Sequence, residues 1–307
     1  MKIAGIGEIV LDIVLRDGQP QAAVPGGSVF NSMISLGRTL GRDCPDVSLT
    51  MASQTGNDAV SEMVCAFMQE NGLDTGEVFR GKGQSTLSLA MLDSSGNASY
   101  EFFRDRDLPA FEAPATPFEA GDIVMFGSFF AVNPETRSQT RAYVRRARAA
   151  GAIVYYDINY RPNHHVSAGE VEENIALCDM VRASSEDIYN LYGSDDAGKV
   201  YRERIAPLCR NFICTRGAED AELFSPGVHC FQPVRDTGKP VSTIGAGDNF
   251  NAGIVYSLVR NSFSKGELGA LTEKEWHTLA APAMEFSANV CRSVFNYVDK
   301  DFRPGSL

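Results

Sequence analysis

The chain has 307 residues, 44% of them hydrophobic, and 28 basic against 39 acidic side chains give it a formal net charge of −11. That is enough apolar material for one large α/β domain, or a domain with a small appendage. No apolar run approaches the ~20 residues of a membrane span, and so acidic a chain lacks the electrostatic footprint of a nucleic-acid binder.

In chain order, residues 2–7 (Lys-Ile-Ala-Gly-Ile-Gly) read as a buried first strand. Asn57 to Gly72 reads as a helix with Val60, Met63, Val64, Phe67 and Met68 as its apolar stripe and Asn71-Gly72 as its stop. Residues 85–92 and 99–104 alternate with period two around a turn at 93–97, which predicts a β-hairpin with one covered face. From there strands and helices alternate. Strands are expected at Ile123–Phe126, Ile153–Tyr156, Met180–Ala183 and Phe212–Thr215, with further strand-like pieces at 221–224 and 228–234. Helices are expected at Pro134–Ala150, Ser185–Tyr192, after Gly247, and over about 272–296 with a break or kink at Pro282. This alternation predicts an α/β fold, a mainly parallel sheet covered by helices on both faces. Ligands of such sheets sit at the carboxyl ends of the strands.

The seven cysteines are scattered and form no Cys-x-x-Cys pair, which suits a reducing cytoplasm rather than a zinc or disulfide framework. The N-terminus carries no signal-peptide pattern, so a cytoplasmic protein is expected. Adjacent His164-His165, the Arg145, Arg146 and Arg148 cluster, and Cys214 read as solvated, solvated and buried, while Trp276 and Phe286 fit core-facing helix positions.

Four polar clusters fall at predicted strand ends. They are Gly7-Glu8 with Asp12, Gly26-Gly27 through Asn31, Asp157-Ile158-Asn159-Tyr160-Arg161-Pro162, and Thr243-Ile244-Gly245-Ala246-Gly247-Asp248. Each has a plain structural account: Asp12 a solvated loop acid, Gly26-Gly27 a turn, Asn31 or Asp248 a helix cap, Asp157 a strand-end acid paired with Arg161. The fourth cluster also has a chemical one. Glycines before a helix let an anion approach unpaired backbone N–H groups. An aspartate there would repel a phosphate, unless it takes a proton from whatever attacks that phosphate.

The order of these clusters resembles the ribokinase-like (PfkB) sugar kinase family over nearly the whole chain, and leans toward fructokinases. The match runs through Gly7–Asp12, Gly26-Gly27…Asn31, Leu36-Gly37-Arg38 with Gly41, Gly56-Asn57-Asp58, Phe102-Phe103-Arg104, Asp157–Pro162, Thr215-Arg216-Gly217-Ala218 and Gly245-Ala246-Gly247-Asp248. The resemblance implies a three-layer α/β/α kinase domain over 1–307, with small β-lid elements at about 12–30 and 85–107. The hairpin and the loop 16–25 would close over the sugar, and the lid would pair two copies into a homodimer.

The resemblance also implies roles. Asp248 is the base; Gly245, Ala246 and Gly247 form the anion hole with Arg161 as a neutralising cation; Asp12, Gly26, Gly27, Asn31, Arg104 and Asn159 bind the sugar. Thr215, Gly217, Thr243, Gly245, Gly247 and Asn289 hold ATP, and Asp187 orients a magnesium-bound water. Ser242 stands where relatives carry an acid that helps hold potassium, so monovalent-ion activation is unsupported. The implied activity is ATP-dependent phosphorylation of a sugar hydroxyl, fructose first. Within the class, 2-keto-3-deoxygluconate, ribose or a nucleoside are alternatives, and a non-catalytic sugar or nucleotide sensor is the alternative class.

Overall fold

The computed structural model describes residues 1–93, 98–105, 107–161, 165–236 and 238–305. The first half contains β1 (Lys2–Ile6), β2 (Val10–Arg16), β3 (Gln19–Gly26), α1 (Ser28–Asp43), β4 (Ser48–Gly56), α2 (Ala59–Glu70), β5 (Leu73–Asp74), β6 (Val78–Gly81), β7 (Leu87–Leu92) and β8 (Ala98–Phe103). Next come β9 (Ile123–Gly127), α3 (Ser128–Val132), α4 (Arg137–Ala149), β10 (Ile153–Asp157), α5 (Ala168–Ile175), β11 (Met180–Ser184), α6 (Ser185–Tyr192) and α7 (Ala197–Val200). The chain closes with β12 (Asn211–Arg216), β13 (Glu219–Ser225), β14 (Val228–Gln232), α8 (Ala246–Arg260) and α9 (Glu273–Val290).

The main sheet runs β14-β13-β12-β11-β10-β9-β1-β4-β5, with β6 also on β4. All pairs are parallel except β12–β13 and β13–β14. Its strands read as nearly continuous apolar runs because both faces are covered. Along β9, Ile123 and Met125 join one core with α1, α2, α8 and α9. Val124 and Phe126 join the other, with α4, α5 and α6. Period two therefore sorts one strand's residues between two cores, which is the expected three-layer α/β/α architecture.

A second, four-stranded sheet, β3-β2-β7-β8, forms the lid. Here the expectations need correction. Residues 19–26 are a strand paired with β2, not a loop, and residues 28–30 open α1 rather than belonging to the lid. In the hairpin register, Ser88 faces Phe102 and Ala90 faces Tyr100. Ser88 and Ala90 are wholly buried, so the covered face carries Ser88, Ala90, Tyr100 and Phe102. Leu87, Leu89 and Met91 point to the opposite face, where Met91 and Phe103 are exposed. The predicted turn at 93–97 lies outside the described residues apart from Asp93.

Other boundaries also shift. β4 pairs with β1 in mid-sheet although Thr50, Ser53 and Thr55 interrupt its apolar pattern and hide it from periodicity. Met63, part of the expected apolar stripe of α2, is exposed; the helix starts at Ala59, capped by Asp58, rather than at Asn57. Pro134 precedes α4 instead of lying in its first turn. α9 passes through Pro282 unbroken and stops at Val290, so 291–296 leaves the helix in turns. Trp276, Phe286 and Cys214 are fully buried and Arg145, Arg146 and Arg148 exposed, as expected.

Candidate active site

Gly245 is the N-cap of α8, with φ 75 and ψ −1 in the left-handed region where a Cβ is unwelcome. A Cβ there would also come within 2.7 Å of the Asn296 carbonyl oxygen. The turn is fixed by Asn249, whose Nδ2 donates to the carbonyls of Gly245 (2.7 Å) and Asn296 (2.8 Å). Thr243 O accepts from the Ala246 N–H at 3.2 Å. Asp248 lies in the first turn of the helix, and no side chain caps that end. Asp248 is therefore not a cap, and beyond the Ala246 N–H that Thr243 engages, the next N–H groups of the first turn of α8 are left to meet an anion.

The Asp248 carboxylate instead accepts a hydrogen bond from Asn31 Nδ2 at 2.8 Å, and its carbonyl accepts one from Ser32 Oγ at 2.7 Å. Burial, then the charge of Asp157, push its carboxyl up from 3.8 to about 7, against hydrogen bonds from Asn31 and Ser28 and the charge of Arg182. Asn31 is inside α1, whose N-cap is Gly27 at φ 122, so Asn31 caps nothing.

Asp12 is buried beneath the lid. It accepts hydrogen bonds from Ser88 Oγ and from Asn296 Nδ2, the latter at 2.8 Å. Burial raises its carboxyl to about 6, opposed by those two hydrogen bonds. A Cβ on Gly26 would fall 2.1 Å from Asp12 Oδ2, and one on Gly27 2.1 Å from the Glu8 carbonyl oxygen. The Gly-Gly pair is thus demanded by the close approach of the β1–β2 segment. Tyr100, on the covered face of the lid, feels the charges of Asp12, Asp248 and Arg161 at its phenol, which burial pushes up.

Other predicted site residues are placed differently from expectation. Asp157 does not pair with Arg161. It is buried at the end of β10 and holds Arg182 Nη1 at 3.1 Å, while Arg161 is exposed and donates to its neighbour's carbonyl, Tyr160 O. Pro162 and His164 lie outside the described residues. Asn159 takes a left-handed backbone, φ 37, and accepts from Ser128 Oγ through its carbonyl. Arg104 is held by Glu8 through two bonds, 2.7 and 2.9 Å, with its guanidinium between the rings of Phe102 and Phe129. Asn289 uses both ends of its amide on Asp299, which removes it as a free nucleotide contact. Thr215 and Gly217 (φ 62) end β12 as expected, and Thr215 Oγ1 accepts from Arg182 Nη2. Asp187 completes the capping box of α6, its Oδ2 accepting from the Ser184 N–H at 2.7 Å, and its Oδ1 is buried without a partner. Ser242 is buried and its Oγ accepts from the Ile244 N–H at 3.1 Å.

The family model described as "pfkB family carbohydrate kinase" matches residues 3–292. The chain belongs to that family. It is a sugar kinase, in a family that uses ATP and a divalent metal. The kinase is 23% identical to a fructokinase of Vibrio alginolyticus over 88% of each chain. It is 24% identical to the aminoimidazole riboside kinase of Salmonella typhimurium over 84% of this chain and 81% of that one. Its fold matches the crystal structure of a Vibrio cholerae fructokinase with fructose, ADP and calcium ion bound, at TM-score 0.82 and 20% identity, covering 96% and 94% of the two chains. It also matches the Salmonella enterica aminoimidazole riboside kinase, at TM-score 0.79 and 21% identity over 98% and 97%. These matches establish the ribokinase-like fold.

Sequence reasoning missed four residues around this kinase's site: Arg182, Asn296, Ser88 and Tyr100. Arg182 sat inside an apolar strand pattern, Asn296 inside a helix read too far, and the two lid residues on a hairpin whose covered face the sequence left unassigned. The one available signal was the charged Arg182 within Met180–Ser184, a strand buried on both sides.

Proposed function

We propose that the chain is an ATP-dependent kinase of a neutral sugar, with fructose the first candidate. The observation that carries this reading is the convergence of Asn31, Asp248 and Asp12 under the lid, against the open N-terminus of α8. Asp12, Asn31, Gly26 and Gly27 form a wall of acceptors and donors suited to adjacent hydroxyls. A carboxylated sugar such as 2-keto-3-deoxygluconate would need a cation. Of the two candidate cations, Arg104 is already bound in bidentate fashion to Glu8, which disfavours it as a carboxylate partner, and Arg161 donates to the carbonyl of Tyr160 and is the one left to test.

In this reading the transferred phosphoryl group meets the 245–247 turn, where the Ala246 N–H is shared with Thr243 and the neighbouring N–H groups supply the other donors. Asp248 takes the proton at the sugar hydroxyl; a carboxyl near pH 7 is a stronger base than an ordinary aspartate and suits this task at neutral pH. The lid, through Tyr100 and Ser88, keeps water from the reacting hydroxyl. The buried, unpartnered Asp187 Oδ1 and Arg182 Nε fit a magnesium–nucleotide group nearby, since such atoms need water or a ligand. Bound Mg·ATP would supply the phosphoryl group, and its metal would offset the phosphate charge. Thr215, Gly217 and Thr243 would border the nucleotide, and Asp187 would help hold the metal through its hydration shell. Ser242 is neutral and its oxygen already accepts from the Ile244 N–H, which makes it a weaker cation ligand than an acid, so little difference between potassium and sodium is expected.

The apolar outer face of the lid, with Leu87, Leu89, Met91 and Phe103, pairs two copies into a homodimer; a monomer mass by light scattering at micromolar concentration would refute this. The free cysteines suit a reducing compartment. The deciding test is ADP release over fructose, ribose, aminoimidazole riboside and 2-keto-3-deoxygluconate, in potassium and in sodium. Fructose turning over fastest supports the reading; no turnover on any sugar favours a sensor.

A further inference from the structure

The site proposed for a polyphosphate is bordered by Asp157, Asp187 and Asp248, three carboxylates that would each repel it. Arg182 is the side chain that offsets them. It is 7% exposed, comes from β11, and binds Asp157 Oδ1 at 3.1 Å through Nη1. Burial pulls its guanidinium down, but Asp157 and Asp187 hold it above the ordinary arginine range, so it stays charged. Nη2 donates to Thr215 Oγ1. That hydroxyl, having accepted from Arg182, must direct its own hydrogen elsewhere. The same two nitrogens lie beside the α8 turn: a Cβ on Gly247 would be 2.7 Å from Nη2 and 2.9 Å from Nη1. One planar fork therefore touches the end of β10, the end of β12 and the first turn of α8. These are the acid end, the nucleotide loop and the anion hole of the site.

We propose that Arg182 is a positioning residue for the nucleotide phosphates, locking the Thr215 hydroxyl and the Gly245–Asp248 turn into one donor set. Only a guanidinium suits the place, because its two terminal nitrogens are needed at once on Asp157 and Thr215. The third nitrogen, Nε, is buried without a partner, so its N–H remains a donor inside this donor set. The simpler account, an ion pair that merely joins β10 to β11, explains neither the bond to Thr215 nor the contact with Gly247.

This inference rests on phosphoryl transfer at the site, and its main readout does not. ADP affinity is measured by titration calorimetry for the unchanged chain, Arg182→Gln, Arg182→Lys, Thr215→Val and the double variant Arg182→Gln/Thr215→Val. Loss of charge-assisted bonds of this kind predicts about 10- to 100-fold weaker ADP binding for Arg182→Gln. Arg182→Lys is expected to recover part of it. The double variant is expected to lose clearly less than the product of the two single losses, because Arg182 acts through Thr215. In turnover, kcat and the KM for ATP change while the KM for sugar stays within about threefold. Unchanged ADP affinity in Arg182→Gln, or multiplicative losses in the double variant, overturns the proposal. If Arg182→Gln does not fold, Arg182→Lys, which keeps the charge beside Asp157 but cannot hold Asp157 and Thr215 at once, decides alone: weaker ADP binding supports the proposal and unchanged binding overturns it. Absence of sugar-dependent ADP release by the unchanged chain would instead count against the kinase reading, and calorimetry would still decide the role of Arg182.

Discussion

Asn31 and Asp248, 217 positions apart in sequence, meet through a 2.8 Å hydrogen bond from the amide to the carboxylate. The bond joins the first turn of α1 to the first turn of α8, and it opposes the burial that lifts the Asp248 carboxyl. Asn31→Ala removes that opposition. Its kcat/KM should fall and its acidic limb should move to higher pH; a limb in the unchanged position would show that Asn31 does not tune the base.

Asp248→Asn should lower turnover by roughly 10²–10⁴-fold while ATP still binds. It should also be more stable than the parent above neutrality. The sign follows from linkage. Asp248 titrates at about 7 in the folded chain against 3.8 unfolded, so the folded state holds the extra proton between those values. Stability from this group is fullest below about pH 4 and lost as pH rises through 7. Calorimetric melting should thus favour Asp248→Asn at pH 8 and show no advantage at pH 4.

The unchanged enzyme should lose kcat/KM about tenfold per pH unit below pH 7, as Asp248 takes up its proton. Asp12, raised to about 6, should steepen the fall below that pH. The steepening should be missing in Asp12→Asn, whose remaining activity is expected to follow a single group.

Glu8→Gln removes the charge that holds Arg104. The freed guanidinium should raise the activity on a carboxylated sugar relative to fructose. ATP hydrolysis without sugar should rise as well, because Arg104 also packs between Phe102 of the lid and Phe129 of the core. An unchanged substrate ratio would separate Arg104 from sugar selection.

Gly253 lies where α8 crosses α9, and a Cβ there would come 2.3 Å from the Ala283 Cα. Backbone cannot yield as a flexible side chain does, so Gly253→Ala should destabilise by about 1–3 kcal/mol or more. A lower urea midpoint with near-normal turnover of the folded fraction is the expected result.

The alternation of strands and helices, the Gly-Gly…Asn and Gly-Ala-Gly-Asp motifs and the buried aromatic positions were legible in the sequence. They depend on local periodicity and on turns in which neighbouring residues set one another's backbone. β4 was not legible, because buried Thr50, Ser53 and Thr55 mimic a polar surface. The inner face of the hairpin was not legible either, because a one-residue change of register exchanges the two faces of a strand.

By itself the sequence determined the family and the layered fold, and it singled out Asp248 as the candidate base. The tertiary structure decided which charges meet. Asp157 holds Arg182 and not Arg161, Arg104 holds Glu8, and Asn296 returns from the C-terminal turns to Asp12. The strand order sets these pairings, since it lays the ends of β10, β11 and β12 beside the start of α8. Burial there then gives Asp248 its titration near pH 7, and neither effect is carried by any stretch of neighbouring residues.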